Sequence, residues 1–317
     1  MARNASRLGH RVSAPWAVAA IVVFVVVDAV LVWWAIASIR PESATPQGEV
    51  MPTIPPPPTT TAAPDAATAP SSQAPTEQPT PAAVRPAVLI SALDSTTAYR
   101  GTTGTCPGGA ATIEVTVDGG ATWSAGFTEG LTDLQSVEAV DADLVTMVAR
   151  DPACAIGRYH SYVQGIDWEA TGELEPTWYL DGDQAVAPSG PSTACGGPVA
   201  GLAASSAESA AVLCDSGAVL VTSDSGATWG EAATAPGAVA LAAGPAGYLV
   251  AVTGDGCRGI RIAVIDTVAG GSPSTPGACL DTDARPGDIA IDAAPDGTVW
   301  AWAGGVLARS ADGGATW

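Results

Sequence analysis

The chain has 317 residues and no lysine; its 12 cationic side chains are all arginine, set against 32 acidic residues, for a formal net charge of −20. That balance lacks the cationic footprint on which nucleic-acid binding depends. It also opposes docking of the polar part of the chain on anionic lipid. There are only two histidines, His10 and His160, and no Cys-x-x-Cys, so a zinc site lacks its usual ligands. Phosphate-binding glycine loops, nucleophile elbows and zinc-protease motifs are absent as well. No cofactor, metal ligand or catalytic residue is assigned on these grounds, and nucleic acid is excluded as a partner.

Long apolar runs are confined to one place. Residues 14–37 are almost continuously apolar, from Trp16 to the Trp33-Trp34 pair and Ala37. That length spans a bilayer as a helix. The tryptophans stand where interfacial aromatics belong. Arg3, Arg7 and Arg11 precede the run, so the N-terminus is expected to stay cytoplasmic and the remainder to be exported. A cleaved signal peptide is the rival reading, because Ala35-Ile-Ala37 resembles a small-residue cleavage site. Asp28 lies near mid-span. A carboxylate there costs roughly 2.5–3.5 kcal/mol on insertion scales. It is either tolerated alone or matched by a polar group on another membrane helix.

The linker is equally distinct. Residues 41–86 hold 13 of the 26 prolines, mixed with Thr, Ala and Ser. Such a segment builds no core and favours extended polyproline II. The expected organisation is a cytoplasmic tail at 1–13, a transmembrane helix at 14–37, a disordered linker at 38–86 and a head at 87–317.

All six cysteines fall in the head: Cys106, Cys154, Cys195, Cys214, Cys257 and Cys279. An even count on the exported side reads as disulfides. Among the many possible pairings the expectation is between neighbours, Cys106–Cys154, Cys195–Cys214 and Cys257–Cys279. Bridges near the middle hairpins of repeats would staple adjacent units.

The head carries one octapeptide three times. Thr116-Val-Asp118-Gly-Gly120-Ala-Thr122-Trp123, Thr222-Ser-Asp224-Ser-Gly226-Ala-Thr228-Trp229 and Ser310-Ala-Asp312-Gly-Gly314-Ala-Thr316-Trp317 all read [Ser/Thr]-x-Asp-x-Gly-Ala-Thr-Trp. Each follows a run with strand-like alternation, such as Ile113-Glu-Val115-Thr-Val117. The Asp accepts backbone N–H groups inside a tight turn, and the Gly tolerates positive φ. The Trp opens the return strand with a large aromatic ready to pack between units.

This octapeptide resembles the Asp-box, or bacterial neuraminidase repeat, of β-propeller hairpins, and matches it at every defined position. The resemblance implies an all-β Asp-box propeller in which these residues are structural. The gaps between Asp118, Asp224 and Asp312 each approximate two blades of roughly 40–50 residues. Degenerate turns are expected near Tyr162–Trp168 and Ile262–Asp266, which gives about five repeat units. Closure of the ring stays open, with either a segment near residues 77–90 completing the last blade or a truncated sequence as the explanation. The photosystem II assembly propeller is similar in its Asp-box-type repeats, but nothing in the composition supports a photosynthetic role.

The resemblance also implies what a sialidase would need: a Tyr nucleophile with a carboxylate partner, an acid/base Asp and three convergent arginines. The Arg-Ile-Pro type motif of that family is missing, since Arg85-Pro86 and Arg285-Pro286 lack the intervening residue. Remaining candidates are Arg100, Arg150, Arg158, Arg258, Arg261, Arg285 and Arg309, with Tyr99, Tyr159, Tyr162, Tyr179 and Tyr248. The cluster Arg158-Tyr159-His160-Ser161-Tyr162 has suggestive chemistry but also reads as an amphipathic strand. Asp141/Asp143, Asp181/Asp183 and Asp281/Asp283 offer oxygens to calcium, but none extends to a calcium-loop pattern. The expected function is a membrane-anchored, extracytoplasmic, non-catalytic binding or scaffolding module whose partner is an envelope protein or a cell-surface glycan. A sialidase-like exo-glycosidase is the enzymatic alternative. Partner choice is expected in the loops at 151–158, 181–197 and 270–285, and exposure of Trp168 and Trp178 would favour a protein partner.

Overall fold

A computed structural model describes residues 82–317 except 129, 173, 175, 255, 266–272 and 275. The expected membrane span, Asp28 and nearly all of the linker lie outside the described residues. Among the described residues no helix is long and apolar enough to cross a membrane.

The described residues form six antiparallel meanders. Sheet 1 comprises Val88–Ala92, Ala98–Thr102, Thr112–Thr116 and Ser124–Ala125. Sheet 2 comprises Asp133–Ala139, Val145–Arg150, Ile156–Ser161 and Glu169–Ala170. Sheet 3 is short, with Tyr179–Asp181, Gln184–Ala187 and Gly190–Pro191. Sheet 4 comprises Val199–Ala204, Ala210–Cys214, Ala218–Thr222 and Gly230–Thr234. Sheet 5 comprises Ala238–Gly244, Gly247–Gly254, Cys257–Ile265 and Leu280–Asp281. Sheet 6 comprises Ile289–Ala293, Val299–Ala303 and Val306–Ser310.

Each sheet touches the next in sequence, and sheet 6 touches sheet 1, so the ring is a closed six-bladed β-propeller. Closure leaves no long free sheet edge. The expectation of about five units falls short by sheet 3, which lies between the turns at Ser161–Trp168 and Thr222–Trp229 and carries no copy of the octapeptide. Among the described residues sheet 3 also has no first strand. Its strand Tyr179–Asp181 begins where Trp178 Nε1 donates to Ser206 O (3.0 Å) and ends where Asp181 pairs with Arg150. It therefore runs in the sense of a second strand.

Alanine, valine and isoleucine fill the seams between sheets. Leu213, Val219, Tyr248, Val250 and Ile265 join sheets 4 and 5. Val239, Ile262, Ile289 and Val299 join sheets 5 and 6. Tyr99, Ile113 and Val145 join sheets 1 and 2. The closing seam between sheets 6 and 1 is built around the fully buried Trp300, with Ile90, Ala98, Ala290 and Ala294. Trp300 Nε1 donates to Asp94 O (2.9 Å), and the N–H of Ala92 donates to Asp292 Oδ2 (2.7 Å). The Arg100 guanidinium lies between the rings of Trp123 and Trp302, 4.3 Å from each centroid, and pairs with Glu114.

The three disulfides are Cys106–Cys154, Cys195–Cys214 and Cys257–Cys279. The first joins the loop between the second and third strands of sheet 1 to the equivalent loop of sheet 2. The other two do not join equivalent loops. Cys195 precedes sheet 4 and bonds within it, and Cys257 and Cys279 flank one pair of strands in sheet 5.

Because Trp300 has full burial and its N–H is satisfied only across the closing seam, Trp300→Ala is expected to cost about 3–5 kcal/mol. Equilibrium denaturation of the oxidised protein checks this. Trp302→Ala, at a partly exposed ring, is expected to cost less.

Candidate functional site

The ring has two faces. One carries the hairpins between first and second strands together with the octapeptide turns, and is called the turn face here. The other carries the loops between second and third strands, and receives the chain through residues 82–87.

On the turn face the three octapeptides adopt one geometry. In the first, Thr116 Oγ1 donates to Asp118 Oδ1 (2.9 Å) and accepts the N–H of Gly120 (2.8 Å). Asp118 then accepts the N–H of Thr122 at Oδ1 (2.9 Å) and the Thr122 hydroxyl at Oδ2 (2.6 Å). Thr222, Asp224, Gly226 and Thr228 repeat the pattern, as do Ser310, Asp312, Gly314 and Thr316. Hydrogen bonds to the charged form lower a carboxyl pKa. Those from Thr122, Thr228 and Ser310 lead in drawing Asp118, Asp224 and Asp312 down to about 2.

Each turn also docks on the preceding sheet. Gly226 has φ of 83°, and a Cβ there would lie 2.3 Å from Ala187 Cβ in sheet 3. Trp229 meets Trp178 edge-on at 6.0 Å and donates Nε1 to Gly226 O (3.1 Å). Trp123 joins the cluster of the closing seam, and Trp317 packs against sheets 5 and 6 and donates to Ala278 O (3.1 Å). The carboxylates are thus spent inside the turns.

A fourth turn occupies the same position in sheet 2, at Ser161-Tyr162-Val163-Gln164-Gly165-Ile166-Asp167-Trp168. Ser161 Oγ still accepts the N–H groups of Gly165 (2.9 Å) and Val163 (3.3 Å), and Trp168 Nε1 still donates to Gly165 O (3.1 Å). Val163 stands where the other copies have Asp, so the carboxylate clasp is absent from this turn. The other expected degenerate turn is a strand as far as Ile265, and Asp266 lies outside the described residues.

On the opposite face, residues 82–87 cross the mouth of the ring. The N–H of Ala83 donates to Asp215 O (3.3 Å) in sheet 4, and that of Ala87 donates to Gly287 O (2.8 Å) beside sheet 6. Arg85 donates from NH2 to Leu134 O (3.1 Å) and Gln135 Oε1 (3.0 Å), and from NH1 to Gly182 O (3.5 Å). Burial pushes the Arg85 pKa down, against the pull of Asp133 and Asp181. Arg85 Nε and Gln135 Nε2 are buried without partners among the described residues. Arg150 completes this cluster by pairing with Asp181 and donating to Cys154 O (2.7 Å), with Asp133 Oδ2 3.9 Å from its Nε. A shallow cavity of 330 Å³ lies beside it, bounded by Arg85, Thr103, Thr105 and Asp133.

Of the sialidase candidates, Arg150 and Tyr179 lie together beside Asp181, but Arg100, Arg258, Arg309, Tyr99 and Tyr248 are dispersed. Arg100 is sandwiched in the closing seam, Arg258 pairs with Asp281 (2.9 Å) and Asp283 (3.3 Å), and Arg309 reaches Ser95 O beside Trp300. Tyr99 is buried between sheets 1 and 2, and Tyr248 shares a hydrogen bond with Ser205 (3.2 Å). In the 158–162 cluster, His160 faces Glu169 (3.5 Å) while Tyr159 turns into the core.

The acidic pairs resolve differently from a metal site. Asp141 Oδ1 accepts the N–H groups of Asp143 (2.9 Å) and Leu144 (2.8 Å), a turn of its own, while Asp181 pairs with Arg150, and Asp281 and Asp283 with Arg258. Among the described residues no group of three or more His, Cys, Asp or Glu is placed to hold a metal. Two other expectations are corrected. Trp178 is buried and Trp168 is packed, so neither forms an exposed platform. Residues 181–197 are not one loop, since they contain two strands of sheet 3.

No family model matches the chain. None of the curated proteins matches it either. Solved structures similar to it are propellers of low identity. "YCF48 bound to D1 peptide" is 21% identical, with 72% of this chain and 64% of that chain covered and a TM-score of 0.29. The chain therefore spans less than two thirds of that protein. An aldose sugar dehydrogenase from Streptomyces coelicolor in its PQQ-bound form is 9% identical, covering 71% and 90%, with a TM-score of 0.41. A lectin of Aleuria aurantia in complex with Fucα1-6GlcNAc is 12% identical, covering 74% and 98%, also at 0.41.

Asp292 works against the turn carboxylates. Desolvation in the closing seam pushes its pKa up to about 7; the hydrogen bonds from Ala92 and Ala293 oppose this and Glu138 adds to it. A raised carboxyl pKa gives stability that is full below the ordinary value of 3.8 and is lost as pH rises through 7. The depressed pKa values of Asp118, Asp224 and Asp312 give stability that is present above 3.8 and is lost as pH falls through about 2. Denaturation midpoints are therefore expected to rise from pH 8 towards about pH 5 and to fall below about pH 4. Asp292→Asn should flatten the first limb and leave the second. In the turn itself, Gly226→Ala combines positive φ with a backbone-proximal clash and is expected to cost about 1–3 kcal/mol by denaturant titration.

Proposed function

We propose that this chain is a membrane-anchored, extracytoplasmic Asp-box propeller that serves as a non-catalytic binding or scaffolding module of the cell envelope. One observation carries the non-catalytic part. Arg85 and Arg150 share one cluster but are spent on Asp133, Asp181 and backbone carbonyls, Arg100 and Arg309 lie in the closing seam, and Arg258 pairs with Asp281 and Asp283, so these five do not converge on a common anion. Disulfides favour an oxidising compartment. The apolar run at 14–37 after Arg3, Arg7 and Arg11 supports a single span with the head outside. A propeller offers a rigid ring whose loops hold a partner, so function resides in particular surface residues rather than in the fold.

The test is an in-cell crosslinking pull-down with the full chain, against a control carrying only residues 1–86. A protein enriched by the full chain alone is the expected outcome. Enrichment by both baits would move the function to the span and Asp28. Saturable binding on a glycan array without a protein partner would favour the glycan-binding alternative, and turnover of a fluorogenic sialoside would overturn the non-catalytic reading.

A further inference from the structure

The turn of sheet 2 departs from its three counterparts at the positions that face solvent. Relative to Thr116–Trp123, Tyr162 replaces Val117, Val163 replaces Asp118, and Ile166 replaces Ala121. Tyr162 is 63% exposed, Val163 50% and Ile166 61%. Forgoing the carboxylate clasp does nothing for the turn, which keeps its shape through Ser161, Gly165 and Trp168.

Neighbouring segments extend the apolar surface. Gln164 Nε2 donates to Ala142 O (3.5 Å), which sets the turn against the hairpin that carries Val140, 46% exposed. An added Cβ on Gly126 would lie 2.3 Å from Gly165 O, so the segment leading to Phe127, 58% exposed, abuts the turn from sheet 1. His160 stacks obliquely on Tyr162 at 4.8 Å and holds it. Five of the eight large apolar side chains exposed among the described residues gather here. Contiguous exposed apolar surface with a polar rim marks an interaction site.

The rim is acidic. Asp141, Asp143, Asp167 and Glu169 are exposed around the apolar residues, and His160, the one histidine among the described residues, already faces Glu169. Arg158 lies further up the same strand. A negative rim selects a positive partner and repels negative ones. A second copy of this chain, at net charge −20, and an anionic bilayer are both disfavoured.

We propose that the surface formed by Phe127, Val140, Tyr162, Val163 and Ile166 docks a segment of a partner protein whose apolar side chains are flanked by arginine or lysine. This rests on the binding-module reading above and names its site.

The other three turns supply the test variant. Val163→Asp, Ile166→Ala and Asp167→Thr together restore the shared octapeptide, so the variant is expected to fold with an equal or higher denaturation midpoint while removing Val163 and Ile166, the centre of the turn's apolar surface. The probe is a synthetic peptide bearing leucine and tryptophan between arginines, with a twin carrying glutamate in place of arginine, titrated against the full chain in detergent. The expected result is measurable binding of the arginine peptide, weakened at least about tenfold by the restored turn and at least about tenfold in the glutamate twin. Equal binding by the variant, equal binding of the twin, or no binding would overturn the proposal. So would association with phosphatidylglycerol vesicles that the restored turn abolishes, because the surface would then be a lipid site. The variant as bait in the pull-down separates the two readings. A partner retained by the variant sinks the docking site and leaves the scaffold reading standing, whereas a partner absent even with the native bait sinks both.

Discussion

The ring depends on one seam. Side chains join the first and last described sheets across the closing seam. Trp300 supplies buried area, Arg100 fills the space between Trp123 and Trp302, and Asp292 bridges to the Ala92 amide. Each of these groups is polar at one end: the Trp300 and Asp292 polar atoms bond across the seam, and the Arg100 guanidinium pairs with Glu114 of its own sheet. The arginine is poorly hydrated and planar, so it stacks between indoles at low desolvation cost while Glu114 balances its charge. The aspartate is the costly member, and its raised pKa records that cost.

The octapeptide turns solve a different problem. A loop on a blade must keep its own backbone groups satisfied while pressing a flat surface on the preceding blade. The Asp and the Ser/Thr at the start close the loop internally, and the Gly leaves the outside free of a Cβ so that Leu307, Ala187 or Ile262 can approach. The same residues that look like paired acid and hydroxyl chemistry in a linear reading are saturated by hydrogen bonds to one another. Their chemistry is exhausted by their structural task.

That distinction explains what the sequence made legible. The three octapeptides announce a propeller because their internal bonds are local, spanning at most four residues. The pairing of Cys106 with Cys154 is legible because loops on one face of a meander recur in order, whereas Cys195–Cys214 and Cys257–Cys279 are bridges local to one sheet. Sheet 3 is not legible. Among the described residues it lacks both the turn motif and a first strand, and its strands of three, four and two residues are too short for periodicity to register. The burial of Trp178 is equally hidden, since it depends on Trp229 and Ala210 of another sheet. The apolar turn at Tyr162–Ile166 was visible as a degenerate copy, but only the exposure of its substitutions gives the departure a meaning.

The lead-in segment imposes an order on folding. Residues 82–87 precede sheet 1 in the chain, yet their bonds are made to Asp215, Leu134, Gln135, Gly182 and Gly287, the last about as remote as the chain allows. Ala92 and Asp292, 200 positions apart, are paired under the same constraint. The part of the head made first is therefore completed last. Until sheet 6 arrives, sheet 1 presents an unsealed flank and the Ala87 amide lacks the Gly287 carbonyl. High contact order of this kind slows folding. It places the nascent chain's period of greatest vulnerability, to aggregation and to mispaired cysteines alike, between the emergence of sheet 1 and the arrival of Trp300.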